Sequence, residues 1–166
     1  MASGNRRAAT PATVALGKVG VTYDLHPYEH VEGSRSFGDE AVTALDLDPA
    51  RVFKTLVARV DGTLLLAVVP VSSMLDLKAV AAAVGGKRAE MAEPADAERA
   101  TGYVVGGISP LGSRSPLRVV VDTSALTAER MWCSAGKRGL QMSLRPEDLV
   151  RATDALVAPV ARRATS

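Results

Sequence analysis

The chain has 166 residues, of which 47% are hydrophobic and 23% are charged, and its formal net charge is +2. This length and apolar content are typical of one domain with a substantial core, so two domains are disfavoured and global disorder is excluded. Four positive charges lie near the chain ends, and because removing them from +2 leaves −2, the body of the chain lacks the strongly basic character of most nucleic-acid-binding domains.

Turn and cap residues divide the chain into predicted helices and strands. Thr10 before Pro11 is typical of a helix start, and Ser36 with Asp39 three residues later resembles a capping box. Asp61-Gly62 lies between two runs rich in β-branched residues and predicts a tight β-hairpin. The predicted elements in chain order are a helix from Pro11 to Gly20, a strand over Val21–Leu25, a helix from Ser36 to about Asp46, strands over Arg51–Val60 and Thr63–Val71, a helix over Asp76–Val84, a strand over Lys87–Met91, a helix from Glu93 to Gly102, strands over Leu117–Val121, Arg130–Ser134 and Leu140–Leu144, and a helix from Pro146 to about Val160.

These elements predict a mixed α and β fold in a single domain over residues 11–161. Residues 1–10 and 162–166 are small, polar and basic, so both segments are expected to be loose tails. No repeat, linker or shift in composition between them indicates a domain boundary.

The cysteine content and the apolar runs predict a soluble, cytoplasmic protein. Cys133 is the single cysteine, which excludes an internal disulfide and fits a reducing compartment. The first ten residues carry two arginines, but the apolar run of a secretory signal does not follow them. The longest apolar stretch, Leu64 to Val69, is far shorter than the roughly 20 residues that span a bilayer. We therefore expect no membrane partner.

His26-Pro-Tyr-Glu-His30 matches the H-x-x-E-H pattern of inverted zinc peptidases, but the match predicts no metal site. That pattern needs a helix to bring both imidazoles to one metal, whereas Pro27 favours an extended conformation at His26. The histidines are interpreted as rim residues beside a strand end. Cys133 is interpreted as a packed strand residue rather than a nucleophile, because no neighbouring base is evident. We expect neither a metal nor a cofactor.

Lys54 is the first candidate functional residue. It stands in an apolar, strand-forming segment, and a lysine is rarely buried without a partner. Two interpretations remain open: the side chain either extends to solvent, or a rigid strand presents it to an anionic ligand.

The segment from Thr101 to Gly112 is a glycine-dense loop that also carries apolar residues. Adjacent glycines at positions 106 and 107 allow the backbone to approach a ligand closely, and exposed N–H groups there can bind a carbonyl or phosphate oxygen. The loop matches no nucleotide-binding fingerprint. A tight turn without a ligand remains the alternative.

Taken together, several stretches resemble the YbaK family of aminoacyl-tRNA deacylases, which is related to the editing insertion domain of bacterial prolyl-tRNA synthetases. The resemblance covers nearly the whole chain outside the expected tails. The matching stretches are TPA at 10–12, HPYEH at 26–30, FGDE at 37–40, VFKTL at 52–56, LDLKAVA at 75–81, AEMAEP at 89–94, ERATGYVVGGISPLG at 98–112 and GKRGL at 136–140.

The resemblance implies an α+β domain with a curved, mostly antiparallel, barrel-like sheet flanked by helices, and a pocket for the aminoacylated 3′ end of tRNA. The invariant lysine of the family falls on Lys54. Gln141 stands where the nearest members of the family usually carry an aspartate, so a carboxylate role cannot be transferred to it. By resemblance, the catalytic residues are Lys54, Gly106 and Gly107, and the substrate-binding residues are Tyr28, Phe37, Thr55, Ile108, Ser109, Pro110 and Ser134.

The function implied by the resemblance is removal of the amino acid from mischarged tRNA, with Cys-tRNA(Pro) and Cys-tRNA(Cys) as the favoured substrates. A synthetase pocket for proline cannot strongly reject small amino acids, because small apolar differences are worth only about 1–3 kcal/mol. The implied partners are the aminoacyl-tRNA 3′ end and a complex with prolyl-tRNA synthetase. The alternatives are an Ala-tRNA(Pro) deacylase and a non-catalytic module that binds tRNA ends or a synthetase.

A mechanism follows from what the chain lacks. Its two histidines lie in one short segment, so no Ser-His-Asp or Cys-His set is evident. We therefore expect Lys54 to anchor a phosphate or ribose oxygen of the terminal adenosine while the backbone at Gly106 and Gly107 stabilises the oxyanion of the ester. Water or the thiol of the substrate would be the attacking group.

Overall fold

The computed structural model describes residues 9–33 and 36–163. This part of the chain forms five α-helices, one 3-10 helix at Thr123–Thr127 and ten β-strands. The helices are α1 (Pro11–Val19), α2 (Phe37–Leu45), α3 (Leu77–Ala83), α4 (Pro94–Thr101) and α5 (Pro146–Thr153). The strands are β1 (Tyr23–Pro27), β2 (Phe53–Val60), β3 (Thr63–Pro70), β4 (Ser73–Leu75), β5 (Ala89–Met91), β6 (Arg118–Asp122), β7 (Met131–Lys137), β8 (Leu140–Leu144), β9 (Leu156–Ala158) and β10 (Ala161–Arg163).

The strands form three sheets. A five-stranded sheet has the order β5-β2-β3-β6-β9, a three-stranded sheet has the order β1-β8-β7, and β10 pairs with β4. β6 is parallel to both of its neighbours, and the other pairs are antiparallel. The predicted single α+β domain with mixed sheets is confirmed. The three sheets remain separate in the described residues, so the barrel-like arrangement is not a closed one.

Local signals located most elements correctly. The β2–β3 hairpin turns at Asp61 and Gly62, which have φ angles of 48° and 87°, as a tight hairpin turn requires. Helix α1 begins after Thr10, whose side chain accepts a hydrogen bond from the Thr13 N–H. Thr10 is itself buried and its hydroxyl donates to the Ala135 carbonyl, so this residue is anchored rather than part of a loose tail.

The predicted capping box at the start of α2 is wrong. Ser36 precedes the helix but makes no side-chain cap hydrogen bond, and its ψ of 66° is not that of a typical N-cap. The acidic residue that interacts locally is Glu40, which pairs with His30 at 2.7 Å between Oε1 and Nδ1. The spacing of Ser36 and Asp39 therefore predicted the start of α2 correctly, but the capping hydrogen bond that it implied is not formed.

The predicted C-terminal helix to Val160 and the predicted tail from residue 162 are also corrected. Helix α5 ends at Thr153 because Asp154 adopts a left-handed conformation with φ 52°, and the chain then enters β9 beside β6. Arg162 and Arg163 pair with β4, so they belong to strand β10. The remaining parts of the expected tails, residues 1–8 and 164–166, lie outside the described residues.

The three-stranded sheet has two chemically different faces. Cys133 and Met142, which are cross-strand partners, are fully buried in the main hydrophobic core. Alternation along the strands places Ser134 and Gln141 on the opposite face, where they are also cross-strand partners. This polar face contributes one wall of the site described below. No helix among the described residues is both long enough and apolar enough to span a membrane.

Candidate active site

A cavity lies between strands β2 and β7. The two strands are joined by a parallel bridge between Val52 and Trp132, and the Trp132 N–H donates to the Arg51 carbonyl at 2.9 Å. Residues two positions beyond this bridge on each strand, Lys54 and Ser134, line the same cavity, whose volume is about 390 Å³. The other lining residues come from α2, β2, the end of β3, the segment from β5 into α4, the glycine-dense loop and β8. They are Ser36, Phe37, Gly38, Asp39, Val52, Phe53, Thr55, Leu56, Val57, Val71, Met91, Ala92, Pro94, Ala97, Val105, Gly106, Ile108 and Gln141.

Among the lining residues that the structure describes, Lys54 is the only lysine or arginine. Its side chain is half-buried, and this burial lowers the pKa of the ammonium, an effect that the nearby Asp39 carboxylate partly opposes. Within the described residues, Lys54 has no carboxylate at ion-pair distance, although Asp39 lines the same cavity. Lys54 thus lines a cavity, and its presentation to an anionic ligand there stays a prediction.

The two adjacent glycines have different surroundings. Gly106 lines the cavity with φ 90°, and a Cβ at this position would lie 2.5 Å from Cδ1 of Phe37. Its N–H has no acceptor among the described residues. Gly107 is buried outside the lining, its N–H donates to the Val104 carbonyl at 2.9 Å, and a Cβ there would meet the backbone at Arg138 at 2.9 Å.

This difference reduces the number of backbone N–H donors available in the predicted oxyanion site. A hydrogen bond to Val104 already uses the Gly107 N–H, so the expected pair of donors is reduced to one, the Gly106 N–H. Gly107 instead permits the loop to pack closely against the turn between β7 and β8.

Phe37 connects the loop to the rim of the cavity. Its ring stacks on His30 with centroids 5.8 Å apart, and the Arg138 guanidinium lies 4.8 Å from the ring centroid. The Arg138 Nε–H also donates to the Val105 carbonyl at 2.8 Å, next to Gly106. The aromatic ring therefore holds the glycine loop in place as well as lining the cavity.

The remaining predicted site residues divide into two groups. Thr55, Ile108 and Ser134 line the cavity, whereas Tyr28, Ser109 and Pro110 do not. Ser109 is fully buried, and its hydroxyl accepts a hydrogen bond from the Leu111 N–H at 3.4 Å.

Tyr28 lies near Gln141, which lines the cavity. Its N–H donates to the Gly139 carbonyl at 2.8 Å. Burial raises the pKa of the Tyr28 phenol, while hydrogen bonds from the Gly139 backbone and the Gln141 side chain oppose that rise.

Two polar atoms in the cavity wall lack hydrogen-bond partners. Thr55 Oγ1 and Gln141 Oε1 are buried and unpaired among the described residues, and the third such atom, Ser113 Oγ, lies outside the lining. Buried polar side-chain atoms are usually satisfied, because an unsatisfied one costs about 1–3 kcal/mol. Two exceptions in one cavity that also holds an unpaired ammonium indicate a site shaped for a polar ligand.

Sequence reasoning missed two polar residues of this site. Asp39 was assigned only to a capping box, and Gln141 only to a departure from the family pattern. Asp39 lies within FGDE, and Gln141 directly follows GKRGL. Both stretches carry the family resemblance, so the resemblance was the signal that could have identified these residues. The start of α4, within AEMAEP, supplies an apolar wall that was also unassigned.

The structure gives no support to the other candidate chemistries. His26 lies in β1 with its Nε2 atom 2.8 Å from Ser143 Oγ, and His30 follows the strand, so no helix carries the H-x-x-E-H pattern. The described residues contain no group of three or more His, Cys, Asp or Glu side chains arranged to hold a metal ion. Cys133 is fully buried, and burial raises the pKa of its thiol to about 12, which disfavours a nucleophilic thiolate.

Similarity to known proteins agrees with this site. EbsC of Enterococcus faecalis, whose name assigns it Cys-tRNA(Pro)/Cys-tRNA(Cys) deacylase activity, is 34% identical over 81% of this chain and 85% of its own. ProXp-y of Escherichia coli, named a multifunctional Ser/Thr-tRNA deacylase, is 36% identical over 42% of this chain and 44% of its own. A solved structure described as a trans-editing enzyme for prolyl-tRNA synthetase has a TM-score of 0.80 and 25% identity, over 93% of this chain and 98% of its own. The aminoacyl-tRNA editing domain family matches residues 32–152, and the chain belongs to this family.

Proposed function

We propose that this protein is a trans-editing deacylase that cleaves the aminoacyl ester of mischarged tRNA, with Cys-tRNA(Pro) and Cys-tRNA(Cys) as its substrates. The carrying observation is one cavity of about 390 Å³ that combines the Lys54 ammonium with the Gly106 N–H, neither of which has a partner within residues 9–33 and 36–163. The similarity to EbsC, which extends over 81% of the chain, supports the choice of amino acid.

In this proposal Lys54 anchors a phosphate or ribose oxygen of the terminal adenosine. A half-buried ammonium without a carboxylate partner is stabilised by an anionic or strongly polar ligand, because burial has removed part of its hydration. The rigid β2 strand fixes the charge in position, as it is paired along its whole length with β3.

The Gly106 N–H is the proposed donor to the ester carbonyl. Negative charge develops on this oxygen as the tetrahedral intermediate forms, and a fixed N–H in a cavity of restricted water access stabilises that charge. The position is held by the Phe37 ring on one side and by the Arg138–Val105 hydrogen bond on the other.

The attacking group in this proposal is not a protein side chain. Attack by water releases the free amino acid and a tRNA with its terminal hydroxyl restored. Attack by the substrate's own thiol on the ester carbon instead forms a cyclic thioester, breaks the ester C–O bond and leaves the thiol proton on the departing ribose oxygen. An unperturbed thiol pKa of about 8.5 leaves a few per cent thiolate at neutral pH, which suits the second route.

The proposed partners are the 3′ end of aminoacyl-tRNA and prolyl-tRNA synthetase, and the proposed compartment is the cytoplasm. The formal net charge of +2 provides little electrostatic attraction for a whole tRNA. A complex with the synthetase would keep the mischarged 3′ end at a high local concentration near the cavity.

The decisive experiment is deacylation of Cys-, Ala-, Ser- and Pro-tRNA(Pro) by the full chain, with the Lys54→Met variant as the control. We expect rapid loss of cysteine, slow loss of the other amino acids and no catalysis by the variant. Absence of catalysis on every substrate, together with retained binding, would favour the non-catalytic module instead. Comparable turnover of Cys- and Ser-tRNA would exclude attack by the thiol, since serine lacks it.

A Ser/Thr or Ala specificity is the second candidate. The local similarity to ProXp-y supports the first of these, although it covers only 42% of the chain. The same substrate panel separates these specificities from that for cysteine.

A further inference from the structure

The cavity wall carries a cation, Lys54, and an unpartnered hydrogen-bond acceptor, Gln141 Oε1, on two different strands. Gln141 of β8 lies between its cross-strand partners Ser134 on β7 and His26 on β1. The Val52–Trp132 bridge aligns β2 with β7, so Lys54 is level with Ser134. The bridge is isolated, so beyond it Lys54 and Gln141 line the same cavity from two different strands, β2 and β8.

Gln141 is almost completely buried, with 7% of its surface exposed, and yet its Oε1 atom has no hydrogen-bond partner in the described residues. Tyr28 lies near the Gln141 side chain, which is among the groups that lower the pKa of the Tyr28 phenol. A buried acceptor that lines a cavity and lacks a partner selects a ligand that presents a hydrogen-bond donor.

We propose that Gln141 Oε1 accepts a hydrogen bond from the α-amino group of the aminoacyl ester, so that the site requires a free α-amine. This inference rests on the proposed function, since it assumes an aminoacylated adenosine in the cavity. It makes Gln141 a specificity residue.

Among the donors of such a ligand, the α-amine fits this position best. An ammonium gives a charge-assisted hydrogen bond, whereas a thiol is a weak donor and would leave the acceptor poorly compensated. Charge repulsion also favours this placement, because an α-ammonium bound to Gln141 on β8 lies away from the Lys54 ammonium on β2. The adenosine oxygens, which carry the opposite polarity, then lie near Lys54.

A biological consequence is that N-blocked esters such as formylated aminoacyl-tRNA and peptidyl-tRNA are poor substrates. An acylated nitrogen retains only one N–H, loses its positive charge and adds atoms within a cavity of about 390 Å³. The enzyme would thereby spare tRNAs engaged in initiation and elongation while acting on free aminoacyl-tRNA.

The test uses adenosine analogues in which a 3′ amide replaces the ester, so that binding is measured without turnover. The acyl groups are cysteinyl, alanyl and 3-mercaptopropionyl, which carry both the amine and the thiol, the amine alone and the thiol alone. We expect the full chain to bind the two amine-containing analogues about 10- to 100-fold more tightly than the third, the range expected for one unpaired buried acceptor.

Three variants assign this preference to Gln141. Gln141→Leu should remove the preference, whereas Gln141→Glu should keep it because a carboxylate also accepts from an ammonium. Ser143→Ala is the matched control, since Ser143 lies on the same strand face two residues away and outside the cavity lining. Thermal unfolding of each variant verifies that it is folded.

Each outcome bears on the inference. Equal weakening of all three analogues by Gln141→Leu, or absence of an amine preference in the wild-type chain, would overturn it. Loss confined to the two thiol-containing analogues would identify the thiol as the group that Gln141 recognises, which also overturns it. Amine-dependent binding without turnover of Cys-tRNA would refute the proposed deacylase and leave the amine site standing, whereas turnover without an amine preference would do the reverse.

Discussion

The two ends of strand β2 carry one cation each, and the surroundings of these cations differ. Near the hairpin, Arg59 is paired with Asp96 at 3.1 Å, and both edges of the strand are occupied, by β3 and by β5. Near the start of the strand, Lys54 is paired with β3 through its backbone and lines the cavity, and no ion-pair partner is found for it among the described residues. The next residue, Thr55, carries a buried hydroxyl without a hydrogen-bond partner.

This contrast separates groups that stabilise the fold from groups reserved for a ligand. At the Arg59 end the charged groups are paired with each other, so their interaction stabilises the folded protein. At the Lys54 end the desolvation of the ammonium is only partly offset, by the nearby Asp39 carboxylate, which is expected where the main partner belongs to a substrate. The following predictions test whether the two ends differ in function as they do in structure.

The largest expected effect is the loss of activity in Lys54→Met. Removing a charge that contacts the substrate should lower kcat/KM for deacylation by at least about 100-fold, the scale for losing one transition-state contact. The variant should fold, and its unfolding temperature should not drop below that of the wild type, because the ammonium has no ion-pair partner to lose among the described residues. Deacylation kinetics and thermal unfolding, measured on the same preparation, test both parts.

Arg59→Met is the matched control on the same strand. It removes the ion pair with Asp96, in which both side chains are 32% exposed, so the unfolding free energy should fall by at most about 1 kcal/mol. Activity should stay within about twofold of the wild type, since a change of that size corresponds to less than about 0.5 kcal/mol. Equal losses of activity in both variants would remove the functional distinction between the two ends.

Gly106→Ala should produce the next largest effect, on both stability and activity. The left-handed φ of 90° costs about 1–2 kcal/mol for an L-residue, and a Cβ only 2.5 Å from the Phe37 ring adds about 1–3 kcal/mol of overpacking. The loop must move to relieve the contact, which displaces the proposed oxyanion donor. Thermal unfolding and deacylation rates of the variant measure the two consequences.

Gly85→Ala separates the φ cost from the contact with the ring. Gly85 has φ 73°, and a Cβ at this position would meet nothing within 4 Å, so only the conformational cost applies. It should destabilise the protein less than Gly106→Ala and leave deacylation unchanged. Similar unfolding temperatures for both variants would show that the Phe37 contact carries no energy.

The pH dependence of stability should sharpen the comparison further. Because burial lowers the pKa of Lys54 below its ordinary value of 10.5, the folded state binds fewer protons than the unfolded chain between the lowered value and 10.5. Stability due to this residue therefore rises with pH across that window, and the charged lysine is unfavourable below it. Lys54→Met should exceed the wild type in unfolding temperature at pH 7, and this advantage should shrink towards pH 10.

Calorimetry of the wild type, Lys54→Met and Arg59→Met at both pH values measures this effect. A guanidinium remains charged over the whole range, so Arg59→Met provides a baseline for changes unrelated to position 54. An advantage of Lys54→Met that is constant with pH would contradict the inferred desolvation of the ammonium.

The elements predicted correctly from the sequence are those determined by local chemistry. Asp61-Gly62 specifies its turn, and Thr10 caps α1 by accepting a hydrogen bond from the Thr13 N–H, because both signals act within a few residues. Strands β9 and β10 were missed since their partners, β6 and β4, are distant in the sequence. A short apolar segment such as Leu156–Ala158 becomes a strand only when a sheet edge is available beside it.

The site was predictable to a different extent. Lys54 could be located from its apolar context, but its position in a cavity wall depends on the three-dimensional arrangement of β2 and β7. The same holds for the glycine pair, because nothing local indicates that Gly107 donates to Val104 while Gly106 does not. The role inferred for Gln141 depends on the absence of a hydrogen-bond partner for Oε1 among the described residues, which is a property of packing that a linear pattern does not contain.

Cys133→Ala is the prediction with the smallest expected effect, and it tests the contrast between a reactive group that faces the cavity and one that does not. Cys133 is one residue before Ser134, yet strand alternation directs it into the core, where burial raises the pKa of its thiol to about 12. Almost no thiolate exists at neutral pH, so deacylation should remain within about twofold of the wild type while the lost core contact costs about 1 kcal/mol. A thiol-specific reagent should modify the wild-type protein only after unfolding. If instead Cys133→Ala abolished activity while its unfolding temperature stayed near that of the wild type, a protein nucleophile would replace Lys54 and Gly106 at the centre of the mechanism.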